Sequence, residues 1–438
     1  MKNKQKKNNK QFILQTLKGM RDILPADYPY WEKVEKAFKK TAEFYNFKFI
    51  EPPILERAEL FIRGTGVNTD IVEKELYTFK TKGKDLVALR PEFTPSLIRA
   101  YIEHGMSRLP QPVKMCYFGP VFRYSAPQAG RFRQFYQAGL EIIGGEADPI
   151  YDAQIIVSAF RFIEELKIKK IIVQLNSIGC RACRPGYRKK LQEYYRRYAS
   201  LTKTKRKICK DCERRIKINP LRVLDCKNEL CQQTKENAPV SLDYLCLSCR
   251  SHFKGVLEFL DEISFPYVLS PHLVRGLDYY NRTVFEIIES GNPSLALAGG
   301  GRYDYLAESF GKRAIPSAGV SLGVERIIEV LKSLSPIILE KTKDKVFIIH
   351  AGELAKKKTF ALIEEFRKTN IKIFEALGKE SLESQLKAAD REETKFALII
   401  GQKEFYEESI ILKDMENGVQ ETVSIKKIVE EVKKRLKD

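Results

Sequence analysis

V-F-R-Y-S-A-P-Q-A-G-R-F-R-Q-F-Y-Q-A-G-L-E, residues Val121 to Glu141, is the stretch around which the chain is organised. An apolar run from Met115 to Phe122 leads into it. A polar, glycine-containing segment follows with Arg123, Arg131 and Arg133, and a second apolar-aromatic run spans Phe135 to Ile143. This pattern reads as two strands joined by a basic loop. Guanidinium forks match phosphate and carboxylate oxygens in pairs, so three arginines here suit an anionic ligand. Gln137 and Glu141 stand four positions apart and fall on one face of the second strand. A basic loop beside a strand that places a glutamate in a pocket can hold an anionic nucleotide and a cationic small molecule together. The competing reading is an exposed Arg-rich hairpin with solvated charges.

At 438 residues the chain is long enough for about two to three domains. Its formal net charge of +20 points to a polyanionic partner. Residues 1–10 are Lys, Asn and Gln after the first methionine, without the apolar core of a secretory signal, and read as a basic disordered tail. No apolar run approaches the ~20 residues that span a bilayer. A cytoplasmic protein without membrane contact is expected.

Trp31, Val34, Phe38, Ala42 and Tyr45 recur at helical spacing. Phe49 to Leu55 reads as an edge or interface strand broken by Pro52-Pro53. Tyr77–Phe79 and Leu86–Leu89 predict a hairpin around Lys82-Gly83, leading to Glu92 and Thr94. The segment from Leu297 to Tyr303 contains Gly299-Gly300-Gly301 and reads as a glycine turn that lets backbone approach a ligand. Arg326 stands in the first turn of a helix opened by Gly323, against the dipole preference, which points to a ligand anion. Beyond a linker at 333–344, alternating strands and helices fill 345–438 and predict a small α/β domain.

Residues 176–255 differ in composition and read as an insertion dense in Lys, Arg and Cys. They hold eight of the nine cysteines, as the pairs Cys180/Cys183, Cys209/Cys212, Cys226/Cys231 and Cys246/Cys249. Disulfides are disfavoured in a chain without a secretion signal. Paired cysteines at this spacing read as thiolate ligands of structural Zn2+, each pair supplying two corners of a tetrahedron. Four pairs can combine in three ways, and spacing does not choose among them. Buried structural thiols are the alternative. The segment reads as too poor in apolar residues to be held well by burial alone, so metal would order a basic surface that leans on nucleic acid. Cys116, in an apolar strand, reads as core.

Four segments in order carry a family resemblance. F-R-Y-S-A-P-Q-A-G-R-F-R-Q-F resembles motif 2 of class II aminoacyl-tRNA synthetases. L-V-R-G-L-D-Y-Y-N-R-T-V-F-E, from Leu273 to Glu286, resembles the signature peptide of histidyl-tRNA synthetases, and A-L-A-G-G-G-R-Y-D, from Ala296 to Asp304, their second specific motif. G-V-S-L-G-V-E-R-I, from Gly319 to Ile327, resembles motif 3, and the Phe49–Leu55 strand resembles motif 1, the dimer-forming element. The resemblance implies a class II catalytic domain over 11–332, with a mixed, mainly antiparallel sheet flanked by helices and the insertion at 176–255, and a C-terminal α/β anticodon-binding domain over 345–438. It implies the ligation of L-histidine to the 3′ end of tRNA(His) through a histidyl-adenylate made with ATP and Mg2+, by a homodimer. By motif correspondence Arg123 and Arg275 act on the carboxylate and α-phosphate, and Arg131 and Arg326 bind the rest of ATP. Glu92, Thr94 and Gln137 take the α-amino group, and Glu141 and Tyr280, beside Tyr279, read the imidazole. Where many members carry Glu-Arg in motif 2, this chain has Ser125 and Ala126, so contacts of that pair to adenine and to the tRNA acceptor end do not carry over. A non-catalytic paralogue regulating histidine biosynthesis is the alternative; such paralogues usually lack the anticodon-binding domain and the intact signature peptide. A stand-alone nucleic-acid-binding protein would leave Glu92, Glu141 and Tyr280 unexplained.

Overall fold

The computed structural model describes residues 14–66, 69–126, 130–200, 208–334, 345–369, 371–379 and 381–436. The expectations for the tail at 1–10 and for the linker beyond residue 334 fall outside them. The chain divides into two compact units, Met1–Pro336 and Ile337–Asp438.

The first unit contains strands β1 (Lys48–Phe49), β2 (Leu55–Arg57), β3 (Thr78–Lys80), β4 (Leu86–Leu89), β5 (Val113–Phe122), β6 (Gln134–Ile143), β7 (Ile171–Ser177), β8 (Val268–Leu269), β9 (Asn281–Glu289), β10 (Asn292–Arg302) and β11 (Ser317–Gly323). Eight of them form one sheet in the order β1-β5-β6-β11-β10-β9-β7-β8. It is antiparallel from β5 through β7, with a parallel pair at each edge. The predicted hairpin of β3 and β4 belongs to a separate three-stranded sheet, β2-β4-β3. The helix Tyr28–Phe44 forms because its apolar residues repeat every three to four positions, and it buries Trp31, Val34, Phe38 and Ala42. Cys116 is fully buried on β5.

Two sequence expectations change. The glycine run is no turn: Gly299 to Gly301 lie within β10, paired on one side with β9 and on the other with β11. The strand forms because flanking Ala296, Leu297 and Ala298 continue an apolar run, while glycine's lack of a side chain admits close neighbours. The insertion is also held by more burial than its composition promised. Its helices, Arg184–Ser200, Lys210–Ile218, Leu221–Leu224, Glu229–Gln232 and Leu247–Glu262, lie between β7 and β8 in the chain. Tyr187, Leu191 and Tyr195, spaced four apart on the first of these helices, are almost fully buried in one apolar cluster with Tyr117, Tyr279 and Tyr303. A narrow stripe of large aromatic residues offsets a low apolar fraction, because each aromatic side chain buries a large area.

The second unit has β12 (Lys345–His350), β13 (Lys372–Glu375), β14 (Phe396–Ile400), β15 (Ser409–Asp414) and β16 (Gln420–Ser424) in the order β13-β12-β14-β15-β16. β12 runs parallel to β13 and β14, and β15 and β16 complete the sheet antiparallel. Val346, Ile348, Leu398 and Ile410 pack one sheet face against Leu362, Phe366, Ile428 and Val432 of the helices Glu353–Arg367 and Ile428–Arg435. β16 and the short helix Gln402–Tyr406 are additions to what the sequence predicted. Among the described residues no helix is long and apolar enough to cross a membrane.

Candidate active site

Residues directly opposite each other in an antiparallel pair project to the same sheet face. Glu141 pairs with Gly319, Gly139 with Ser321 and Gln137 with Gly323, while Gly301 and Gly299 pair with Gly319 and Ser321. One face of the sheet centre is therefore paved with glycine, and the few side chains on it stand in open space. A Cβ on Gly319 would lie 1.5 Å from Glu141 Oε2, and one on Gly299 would lie 2.2 Å from Arg275 Nη1. Glycine is required at both positions because the two functional groups occupy that space.

Above this face lies a cavity of about 340 Å³ lined by Glu92, Arg123, Arg131, Gln137, Arg275, Tyr280 and Arg326. Thr94, Glu141 and Tyr279 are buried beside them, so the structure gathers every residue predicted to hold histidine or ATP into one place. Glu141 accepts hydrogen bonds from Thr94 Oγ1 at 2.9 Å and from the Tyr303 hydroxyl. Burial pushes its carboxyl up to about 8. Glu92 Oε2 accepts from the Tyr279 hydroxyl at 2.8 Å. Burial outweighs the pull of Arg123 and raises Glu92 to about 7. Its other oxygen, Oε1, is buried without a hydrogen-bond partner, and so is Gln137 Oε1. Two acceptors on one cavity wall thus have no donor within the protein and can accept from a ligand.

The arginines come from three directions. Arg123 donates to the Pro91 carbonyl at 2.9 Å and lies over the Phe135 ring. Arg275 pairs with Glu286 across β9 and rests on Gly299. Arg326 donates to the Ala296 carbonyl at 2.6 Å. Burial, then the nearby charges of Arg131 and Arg123, pull the Arg326 guanidinium down from its usual range. Positive charge is thus in excess at this end of the cavity, as an anion site requires. Ser125 also lines the wall.

Sequence reading missed Tyr303, which fixes Glu141, and the wall made by Asp70, Arg222 and Asp225. Tyr303 follows the glycine run directly, but its contact with Glu141 depends on strand register. Arg302, which also belongs to the second specific motif, is not part of the cavity wall and pairs with Ala318 rather than Gly319. It is buried between Asp152 and Asp304, donating to Asp152 Oδ2 through Nε at 3.0 Å and to Asp304 Oδ1 at 3.1 Å.

The eight insertion cysteines form two groups, Cys180/Cys183/Cys246/Cys249 and Cys209/Cys212/Cys226/Cys231, each with its Sγ atoms within 4.8 Å of one another. The fold thereby chooses one of the three pairings: the outer pairs join and the inner pairs join. Sγ separations of 3.6 Å for Cys180–Cys183, 4.0 Å for Cys180–Cys246 and 3.8 Å for Cys209–Cys226 exclude disulfides. Backbone N–H groups of Ala182, Cys209 and Cys246 point at Sγ atoms at 3.1–3.4 Å. At Cys180 burial acts to raise the thiol, but N–H donors of Cys183 and Ala182 more than offset it and bring it down to about 6.

Comparison with known proteins finds a match for each unit of the chain. The family description of histidyl-tRNA synthetase matches residues 19–327, and that of an anticodon-binding domain matches 345–435. The chain is 40% identical over 427 residues to histidine–tRNA ligase of Desulfitobacterium hafniense, covering 97% of this chain and 99% of the relative. It is 41% identical over 427 residues to that of Dehalococcoides mccartyi, covering 97% and 100%. Apo S. aureus histidyl-tRNA synthetase superimposes with a TM-score of 0.77 at 32% identity, covering 96% of this chain and 100% of that one. A Bacillus halodurans protein described as an ATP phosphoribosyltransferase regulatory subunit/histidyl-tRNA synthetase shares the fold at 18% identity and a TM-score of 0.63, covering 90% and 99%. The chain belongs to the histidyl-tRNA synthetase family.

Proposed function

We propose that the cavity joins L-histidine to ATP and that the chain then passes the histidyl group to the 3′ end of tRNA(His). The observation that carries the site assignment is the pair of unpartnered acceptors, Glu92 Oε1 and Gln137 Oε1, on a wall shared with guanidinium groups. The acceptors suit an α-ammonium. Thr94 joins them, since its hydrogen goes to Glu141 while its oxygen can still accept. The arginines suit the carboxylate and the phosphates. Histidine's carboxylate oxygen attacks the α-phosphorus, the new C–O–P linkage forms as the bond to the bridging oxygen breaks, and pyrophosphate leaves. Arg123 and Arg275 stabilise the charge on the five-coordinate phosphorus, and Arg131 and Arg326 hold the remaining phosphates and flank the adenine. Mg2+ supplies neutralisation of phosphate charge when bound; it needs only one or two carboxylates beside phosphate oxygens, and Glu75 and Asp225 stand on the wall. Glu141, oriented by Tyr303, reads the imidazole with Tyr280, and Tyr279 orients Glu92. In the second step the terminal ribose hydroxyl attacks the acyl carbon and AMP leaves.

Residues 11–332 act in this reading as the catalytic domain, and 345–438 bind the anticodon of the tRNA in the cytoplasm. Phe49, Ile54 and Leu55 are exposed at motif 1 and serve as homodimer contacts; sedimentation of a Phe49→Asp/Leu55→Asp variant as a monomer would bear this out. The regulatory reading is disfavoured by Arg275 standing in place and by the anticodon-domain match. Histidine-dependent ATP–pyrophosphate exchange tests the whole assignment, and its absence from the folded protein would overturn it.

The two thiol groups fit structural Zn2+. With Zn–S bonds of ~2.3 Å, the edge of a tetrahedron is ~3.8 Å, and the separations above fall around that value. All-thiolate sites leave no open position, so their role is structural. Elemental analysis should find two zinc ions per chain. A folded, active protein with no stoichiometric metal and eight titratable thiols would refute this.

A further inference from the structure

The segment between two cysteines of the inner thiol group contributes Arg222 and Asp225 to the wall of the catalytic cavity. Between Cys212 and Cys226 the chain forms the end of one helix and the whole of the next, Leu221–Leu224. Arg222 lies in that second helix and is 7% exposed. One of its nitrogens donates to the carbonyl of Gly276, the residue after Arg275. The other donates to Asp70 Oδ2 at 2.8 Å. Arg215 reaches the same carboxylate oxygen at 3.0 Å, and Asn219 donates to Asp278 at 3.0 Å. Asp70 opens the turn that ends at Glu75, whose carbonyl accepts from Tyr124 N, next to Arg123, at 2.7 Å. Arg222 and Asp70 therefore form a strut between the two loops that carry Arg275 and Arg123. The strut's foot is the segment whose two ends are cysteines of one four-thiol group.

We infer that this group and Arg222 form one positioning device: a thiophilic divalent cation on Cys209, Cys212, Cys226 and Cys231 fixes Arg222, and Arg222 with Asp70 sets Arg275 and Arg123 for attack on the α-phosphate. Histidine activation then depends on that cation, and not only transfer to tRNA. This goes beyond the sequence expectation that the metal orders a basic surface leaning on nucleic acid, and it rests on the roles given above to Arg275 and Arg123. Arg222 is a positioning residue in this scheme. Displacing a reacting group by about 1 Å costs on the order of 10²-fold in rate, while Glu92 and Gln137 remain in place.

The test uses the full-length protein in ATP–pyrophosphate exchange. Arg222→Gln and Asp70→Asn should each lower kcat by about 10- to 100-fold and leave the histidine KM within about threefold, with Arg222→Lys partly restoring kcat. Lys190→Gln, which removes only the surface pair with Glu193 on the insertion's first helix, should exchange normally. Deuterium uptake by the 273–280 peptide should rise in Arg222→Gln and in Cys226→Ser/Cys231→Ser. The double cysteine variant should hold half the wild-type zinc, and adding Arg222→Gln to it should cause little further loss, because both act through one device. Folded Arg222→Gln and Asp70→Asn with wild-type kcat, or losses that multiply in the combined variant, would overturn the strut while Arg275→Ala remains crippled. If Arg275→Ala itself exchanges normally, the assignment of Arg275 falls first and the strut with it. Should the cysteine variant fail to fold, Asp70→Asn alone still decides.

Discussion

Glu92→Gln separates the cost of burying this carboxyl from its use. In the folded protein burial lifts the Glu92 carboxyl from 4.5 to about 7, with Arg123, the Tyr279 hydroxyl and Arg275 pulling in the opposite direction. The unfolded chain releases this proton near pH 4.5 and the folded chain holds it until about pH 7. Stability therefore falls as pH rises through that window, since the folded state binds more protons. At about 1.4 kcal/mol per pH unit, the loss accumulates to roughly 3 kcal/mol above pH 7. Glutamine has no proton to lose, can still accept from Tyr279, and places an amide where Oε1 lacks a partner. The variant should match the wild type near pH 4.5 and exceed it by about 2–3 kcal/mol at pH 8, read as the urea midpoint of the catalytic unit. Its histidine KM should rise about 10- to 100-fold, because a hydrogen bond to a charged group contributes about 1.5–3 kcal/mol. Parallel stability curves for the two proteins between pH 5 and pH 8 would refute the argument, and an unchanged KM would remove Glu92 from the ammonium site.

Arg275→Ala should lower pyrophosphate exchange by on the order of 10²-fold or more with little change in histidine binding; a wild-type rate would exclude its role at the α-phosphate. Glu141→Gln should raise the histidine KM, since an amide replaces a carboxylate fixed by Tyr303 and Thr94; an unchanged KM in steady-state exchange would mean that the imidazole is read elsewhere. Arg302→Leu should cost about 3–5 kcal/mol in denaturant unfolding by leaving Asp152 and Asp304 buried without their cation, and a loss below about 1 kcal/mol would contradict that pairing. Deleting 345–438 should spare histidine-dependent exchange and cut tRNA charging far more; equal losses in the two assays would assign the second unit a folding role.

Local pattern was enough for the parts of this protein that depend on neighbours in sequence. The stripe of Trp31, Val34, Phe38 and Ala42, the paired runs around Arg123 to Arg133, and the cysteine pairs are repeats that secondary structure or a metal turns directly into geometry. The family resemblance likewise marked Glu92, Gln137, Glu141 and Arg275 as candidate ligand residues, because the order of the motifs in the chain is itself a signature. Other features depended on which distant strands lie side by side. Gly299 to Gly301 resemble a turn until β9 and β11 pair with them, and only that register shows that glycine is needed beneath Arg275 and beside Glu141. Tyr303 and Glu141 lie 162 positions apart, and Arg222 and Asp70 lie 152 apart; no local rule links residues at such separations. The cysteine pairs illustrate the division most simply. Their spacing marked the candidate ligands, but three ways of joining them were equal in sequence. Tertiary structure chose one, because the N-terminal ends of the insertion's first and last helices meet, which joins Cys180/Cys183 to Cys246/Cys249 and leaves the inner pairs to meet beside the catalytic cavity.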